Sequence, residues 1–126
     1  MERDPDIPFT YKYSQPEEYH FSVDSIEMAW KVANYLKVER FAEIKSGKWS
    51  CLDLCAGCGV IGFELNFHLP DLKTWDFVEV QTQYVEHFEK NRKMVIDRNA
   101  KLPQRPRLSV VGSTANDEKI PGLHLE

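Results

Sequence analysis

The chain has 126 residues, 42% of them apolar and 29% charged, with a formal net charge of −4. That is enough for one domain with one core, and no apolar run reaches the roughly 20 residues needed to cross a bilayer. The negative balance excludes an all-over electrostatic grip on nucleic acid but not a local basic patch.

The N-terminal stretch MERDPDIPF is acidic and polar, unlike a secretory signal. Three cysteines, an odd number, do not build a disulfide framework, so a reducing cytoplasm is the expected location. Pro5, Pro8 and Pro16 interrupt the first segment, which reads as an extended lead-in pinned to a surface by Phe9, Tyr11, Tyr13, Tyr19 and Phe21. Ser22 or Asp24 can cap the next element. From Ser25 onward Ile26, Ala29, Trp30, Ala33 and Leu36 recur at spacings of three and four, which predicts an amphipathic helix. A second short helical piece covers Val38 to Ile44.

The period then changes. WSCLDLC is a short apolar run, read as a parallel strand buried on both faces. GVIGFELNFHL follows as a helix stopped by Pro70 and Asp71. TWDFVEV is a second strand. TQYVEHFEKNRKMVIDRN is a second helix, with Val85, Phe88, Arg92 or Lys93, and Val95 on related faces. After the breakers Pro103 and Pro106, LSVVGS is a third strand. This rhythm gives an α/β fold: a βαβαβ unit with right-handed crossovers and strand order 3-2-1, half of a doubly wound Rossmann-like sheet, preceded by a helix. The chain divides as one domain: 1–48 lead-in and helix, 49–113 the βαβαβ unit, and 114–126 a loop or tail.

Between the first strand and its helix, Gly57, Gly59 and Gly62 stand at G-x-G-x-x-G spacing. Gly57 and Gly59 let the backbone turn sharply and approach a ligand, and Gly62 permits close helix–strand contact. The helix N-terminus presents free N–H groups. Glu79 ends the second strand, 20 residues after Gly59, and a carboxylate there can accept both hydroxyls of a ribose. The ligand read from this pattern is an adenosine-containing molecule. Asp53, in the first strand, would repel a pyrophosphate and suits a ligand with a cationic amine. S-adenosylmethionine carries both that amine and an adenosine. A dinucleotide, or a tight turn that binds nothing, are the other readings.

LDLCAGCGVIG resembles the first motif of class I S-adenosylmethionine-dependent methyltransferases, and DFVEV resembles their second. YHFSVDS, Tyr19 to Ser25, is similar to the Y-x-F-S-x-D-S segment of the bacterial valine-tRNA adenine-N6 methyltransferases and their small-domain relatives. Together these cover residues 19 to 113. The resemblance implies that Asp53 receives the methionine amine, directly or through water, that Gly57 and Gly59 border the methionine part, and that Phe21 and Ser22 close over it. It also implies that Glu79 holds the ribose and Val80 lies against adenine. Where family members carry an acid after Gly112, to read the adenine amino group, this chain has Ser113, which can accept one hydrogen bond. The acceptor-gripping N-P-P-Y or D-P-P-Y tetrapeptide of amino-methylating relatives does not occur, so the chain reads as the N-terminal part of such a domain, binding cofactor but inactive alone.

The implied function is transfer of methyl from S-adenosylmethionine to an amino nitrogen of a nucleic-acid base, with adenine in tRNA as the favoured acceptor. The alternative is a methyltransferase-like binding or partner module without chemistry. The sulfonium is already activated, so the protein mainly aligns an in-line displacement and no catalytic side chain is assigned. Cys51, Cys55 and Cys58 lack a fourth ligand nearby and read as small packing residues rather than a metal site. His20, His68, His87 and His124 read as surface or capping residues. Trp30, Trp49 and Trp75 read as packing residues. Lys90, Arg92, Lys93, Arg98, Lys101, Arg105 and Arg107 read as a solvated face, with an RNA contact remote from the cofactor as the other reading. The first strand carries no proline or lysine to block pairing at its free edge, so a homodimer or a partner chain is expected to complete the sheet. No membrane contact is expected.

Overall fold

A computed structural model describes residues 11–18 and 23–101, and the backbone of 110–114. Helix α1 is Val23–Glu39, α2 is Phe41–Lys45, strand β1 is Cys51–Leu54 and α3 is Val60–His68. Strand β2 is Trp75–Glu79, a 3-10 turn occupies Thr82–Tyr84, α4 is Val85–Ala100 and β3 is Val110–Thr114. The strands form one parallel sheet in the order β1-β2-β3, which is 3-2-1 read from the opposite edge. Cys51 pairs with Trp75, and Trp75 with Val110.

The helical spacing works as expected in α1. Ile26, Ala29 and Ala33 are wholly buried, and Trp30 and Leu36 are half-buried against the same core. Asp24 lies inside the first turn, where a negative charge suits the helix dipole, rather than at the cap. Ser22 lies outside the described residues. The second helical piece begins three residues later than predicted, at Phe41.

One face of the sheet carries α3 and α4. Phe77 of β2 sits 4.6 Å from the ring of Phe63 on α3 and 5.2 Å from that of Phe88 on α4. Phe63 and Phe88 stack at 5.5 Å. Trp75, also on β2, is fully buried in this core. In turn, α1 packs on α3.

Three expectations need correction. Strand β1 is not buried on both faces: Cys51 and Asp53 are half-buried, whereas Leu52 is 40% and Leu54 61% exposed. An apolar run records what a strand can bury, not whether anything covers it. Trp49 is 37% exposed and does not belong to the core. On α4 the buried residues are Phe88, Asn91, Val95 and Asn99, so Asn91 takes the place given to Arg92 or Lys93.

The lead-in is pinned as its aromatics suggested, at least over Tyr11 and Tyr13, which are both buried. Tyr13 Oη donates to Glu64 Oε1 at 2.8 Å, and Glu64 is itself fully buried on α3. Burial, then the Glu64 charge, pushes the Tyr13 hydroxyl far above its ordinary range, so it remains a donor. The Arg98 guanidinium lies over the rings of Tyr11 and Phe67, at 5.0 and 5.4 Å. Phe9, Tyr19 and Phe21 lie outside the described residues.

Gly62 is where α3 meets the sheet. A Cβ there would stand 2.2 Å from Cε1 and 2.8 Å from Cζ of Phe77, a ring locked between Phe63 and Phe88. Gly62→Ala should therefore destabilise the fold by about 1–3 kcal/mol through overpacking. Urea denaturation measures it, and an unchanged midpoint would show that the helix can lift off the sheet freely.

Candidate functional site

The loop Cys55–Gly59 connects the end of β1 to the start of α3. It first continues the sheet ladder, with Ala56 N donating to Val78 O at 2.9 Å. It then reverses in a tight turn in which Gly59 N donates to Ala56 O at 2.8 Å. Three of its residues have positive φ: Cys55 at 58°, Gly57 at 58° and Gly59 at 88°. Glycine adopts this region at no steric cost, which is why the spacing was readable. Cys55 has a Cβ, and holding it there costs on the order of 1 kcal/mol. A Cβ on Gly59 would stand 2.4 Å from the Phe63 ring, so aromatic packing closes in behind the turn.

Two carboxylates hold the loop. Glu79, 7% exposed, accepts Gly57 N–H on Oε1 and Gln81 N–H on Oε2, each at 2.8 Å. The end of β2 is thus tied directly to the turn after β1. An ionised carboxylate has about four lone-pair positions, so both oxygens retain capacity for further donors. Asp53 Oδ2 accepts Gly62 N–H, one of the free donors of the first turn of α3, at 3.1 Å. Burial, opposed by that hydrogen bond and reinforced by the Glu79 charge, raises the Asp53 carboxyl from 3.8 to about 6.

A third side chain shapes the loop, and the sequence reading missed it. Asn91, 1% exposed, donates through Nδ2 to Cys58 O and to Ser14 O, both at 2.9 Å, while Oδ1 accepts Ser14 N–H at 2.7 Å. Ser14 Oγ shares a further hydrogen bond with His87 Nδ1 at 2.7 Å. Asn91 stood between charged residues in a polar helix. The available signal was its place at three and four residues from Phe88 and Val95.

The loop and Glu79 border a cleft of about 350 Å³ outside the carboxyl ends of β1 and β2, where ligands bind in open parallel sheets. Cys55, Gly57, Cys58, Glu79, Gln81 and Tyr84 are among its lining. Gly57 and Glu79 both line it, joined by their hydrogen bond, with Gly59 next in the loop. Asp53 does not line the cleft but lies beneath the first turn of α3. Val80 is 57% exposed and also outside the lining. Ser113 is paired through its backbone to Val78, one residue from the end of β2. Phe21 and Ser22 lie outside the described residues. Burial raises the Cys58 thiol to about 11 and the Cys51 thiol to about 12, with neighbouring carboxylates adding to both shifts, so both stay protonated near neutral pH.

The basic run of α4 is largely self-neutralised. Lys90 pairs with Glu86 at 3.0 Å, Arg92 with Glu89 at 3.2 Å and Lys93 with Asp97 at 3.3 Å. These are exposed helical pairs of small energy, and they fit a solvated face. Arg105 and Arg107 lie outside the described residues.

No protein-family model and no curated protein matches the sequence. Among solved structures, the chain is similar to precorrin-6y C5,15-methyltransferase from Geobacter metallireducens GS-15, with 14% identity and a TM-score of 0.50. The match covers 84% of this chain and 46% of that one, so the chain spans less than half the length of its structural neighbour. At this identity the likeness is one of fold: an α/β fold of the kind a methyltransferase uses.

The raised Asp53 carboxyl has a consequence for stability. The folded protein holds that proton more tightly than the unfolded chain, so the contribution is present below about pH 4 and is lost as pH rises through about 6. Asp53→Asn, which keeps an acceptor for Gly62 N–H, should remove this dependence and stabilise the free protein at pH 7 by on the order of 1–3 kcal/mol. Thermal unfolding at pH 4 to 8 checks it. Parallel curves for the two proteins would show that Asp53 is ionised at no cost.

Proposed function

We propose that the chain binds S-adenosylmethionine in the cleft at the ends of β1 and β2 and serves methyl transfer from it. The observation that carries this reading is Glu79. A buried carboxylate at the end of the second strand, fixed by two backbone N–H groups and facing a cleft, is suited to the paired hydroxyls of a ribose. Asp53 supports the choice among adenosine ligands. Its charge is costly where it lies, and a cation nearby would offset that cost, whereas a pyrophosphate would add to it. The methyltransferase fold of the structural neighbour agrees with this choice.

The acceptor proposed is an amino nitrogen of a nucleic-acid base, with adenine in tRNA favoured. The support is the segment YHFSVDS and its similarity to the lead-in of valine-tRNA adenine-N6 methyltransferases. The chemistry requires alignment of the nitrogen with the methyl and sulfur, not a protein base of unusual strength.

For assembly, we propose that the edge of β1 that has no partner strand among the described residues pairs with a second copy. The support is that β1 carries no proline or lysine to block pairing at its edge, and the exposed Leu52 and Leu54 add apolar area on the adjoining sheet face. Light scattering at low micromolar concentration should give twice the mass of the chain. A well-folded, monodisperse monomer would contradict it.

Calorimetry with S-adenosylhomocysteine, the demethylated product, tests the cofactor assignment. The wild type should bind with a 1:1 stoichiometry, and Glu79→Ala should weaken binding by about 1–3 kcal/mol through loss of charged acceptors. Equal affinity in the variant would remove the ribose role from Glu79.

A further inference from the structure

The lead-in and the glycine loop are far apart in sequence, yet both end on one side chain. Asn91 holds the backbone of Ser14 by a donor and an acceptor, as a neighbouring strand would, and with its second amide hydrogen it holds Cys58 O inside the loop. Cys58 lines the cleft; Asn91 does not. On its other side the lead-in is anchored to α3 by the bond from Tyr13 to Glu64, remote from the loop in bonding terms. From this arrangement we infer that Asn91 is a positioning residue. It couples docking of the lead-in strap, Tyr11–Pro16, to the shape of the cofactor loop, so that strap docking sets cofactor affinity. The second half of this statement rests on the cofactor reading given above; the first does not.

The physical reasoning is one of shared satisfaction. Asn91 is almost completely buried, and without Ser14 its Oδ1 and one amide hydrogen would lose their partners. A buried amide left half-satisfied turns toward other partners or admits water. Either response disturbs the remaining bond to Cys58 O. That bond, with Gly57 N–H on Glu79 and Gly59 N–H on Ala56 O, fixes three successive residues of the turn. The strap therefore acts on the loop through an intermediary whose two amide hydrogens are both committed, one to each side. Coupling of this kind is reciprocal: whatever tightens the loop must also hold the strap.

The test is a double-mutant cycle read first without ligand. Hydrogen exchange of the Gly57 and Gly59 amides is measured in the wild type, Tyr13→Phe, Asn91→Ala and the double variant, with the Leu69 amide at the far end of α3 as control. Tyr13→Phe should speed exchange of both loop amides several-fold and leave Leu69 unchanged, although the bond it removes is to Glu64 on α3. Asn91→Ala should speed them by more, roughly tenfold, and the double variant should match Asn91→Ala alone. Loop exchange unaffected by Tyr13→Phe, or effects that multiply in the double variant, would overturn the coupling. If Asn91→Ala does not fold, Asn91→Ser removes the same bond to Cys58 with less loss of packing, and the same outcomes apply.

A second arm measures S-adenosylhomocysteine affinity in the same four proteins. It should fall in both single variants and fall no further in the double. Unchanged affinity alongside accelerated loop exchange would overturn the link to the cofactor. Coupled exchange in a wild type that binds no S-adenosylhomocysteine would support the coupling and sink the cofactor reading instead, so the two failures are distinguishable.

Discussion

The bond from Gly57 N–H to the Glu79 carboxylate is the contact on which the cleft depends. It joins the end of one strand to the turn after its neighbour, and it does so with a charged acceptor in a nearly buried position. Charge-assisted bonds of this sort are among the stronger ones a protein makes. Because the second oxygen of Glu79 holds Gln81, the same carboxylate fixes the chain on both sides of the opening. Everything behind it serves to keep that turn tight. Phe63 and Phe88 fill the space a side chain at Gly59 would need, and Phe77 fills the space at Gly62. The aromatic core and the loop that borders the cleft are thus one packing unit, and a change in either is felt in the other.

Strain and unmatched charge gather at the same place. Cys55 holds a left-handed backbone conformation that glycine would adopt without cost. Asp53 is kept under the first turn of α3 with its carboxyl raised by burial. Each feature lowers the stability of the free protein, and proteins retain such features where binding compensates for them. Elsewhere the charges are conventional: the exposed face of α4 pairs its own lysines and arginines with acids one turn away. The contrast separates the surroundings of the cleft from a solvated surface more clearly than charge counting does.

Much of this was legible in the sequence, for reasons that can be traced to particular residues. Gly57, Gly59 and Gly62 announce themselves because no other residue type meets their backbone or packing demands as cheaply, and Glu79 follows from the length of a βαβ unit. The elements between Ile26 and Val95 were readable from periodicity. What could not be read was of two kinds. Asn91 acts through partners at Ser14 and Cys58 that only the fold brings together, and the left-handed conformation of Cys55 has no compositional mark. The exposure of Leu52 and Leu54 was hidden for a different reason: an apolar run specifies faces that can be covered, while coverage depends on what lies beyond the strand. Asp53 shows a middle case, since its place in β1 was predicted but its seat beneath α3, rather than in the lining of the cleft, was not.

The central claim is that the cleft between Glu79 and the glycine turn is a cofactor site, and the most direct measurement is a map of backbone amide resonances during titration with S-adenosylhomocysteine. The amides of Gly57, Cys58, Gln81 and Tyr84, which border the cleft, should shift together and saturate at one equivalent. Those around the separate cleft formed by Phe41, Ile44, Leu69 and Pro70 should not move. Saturable shifts centred on that second cleft, or no saturable shift at Gly57 and Gln81 at millimolar ligand, would contradict the account.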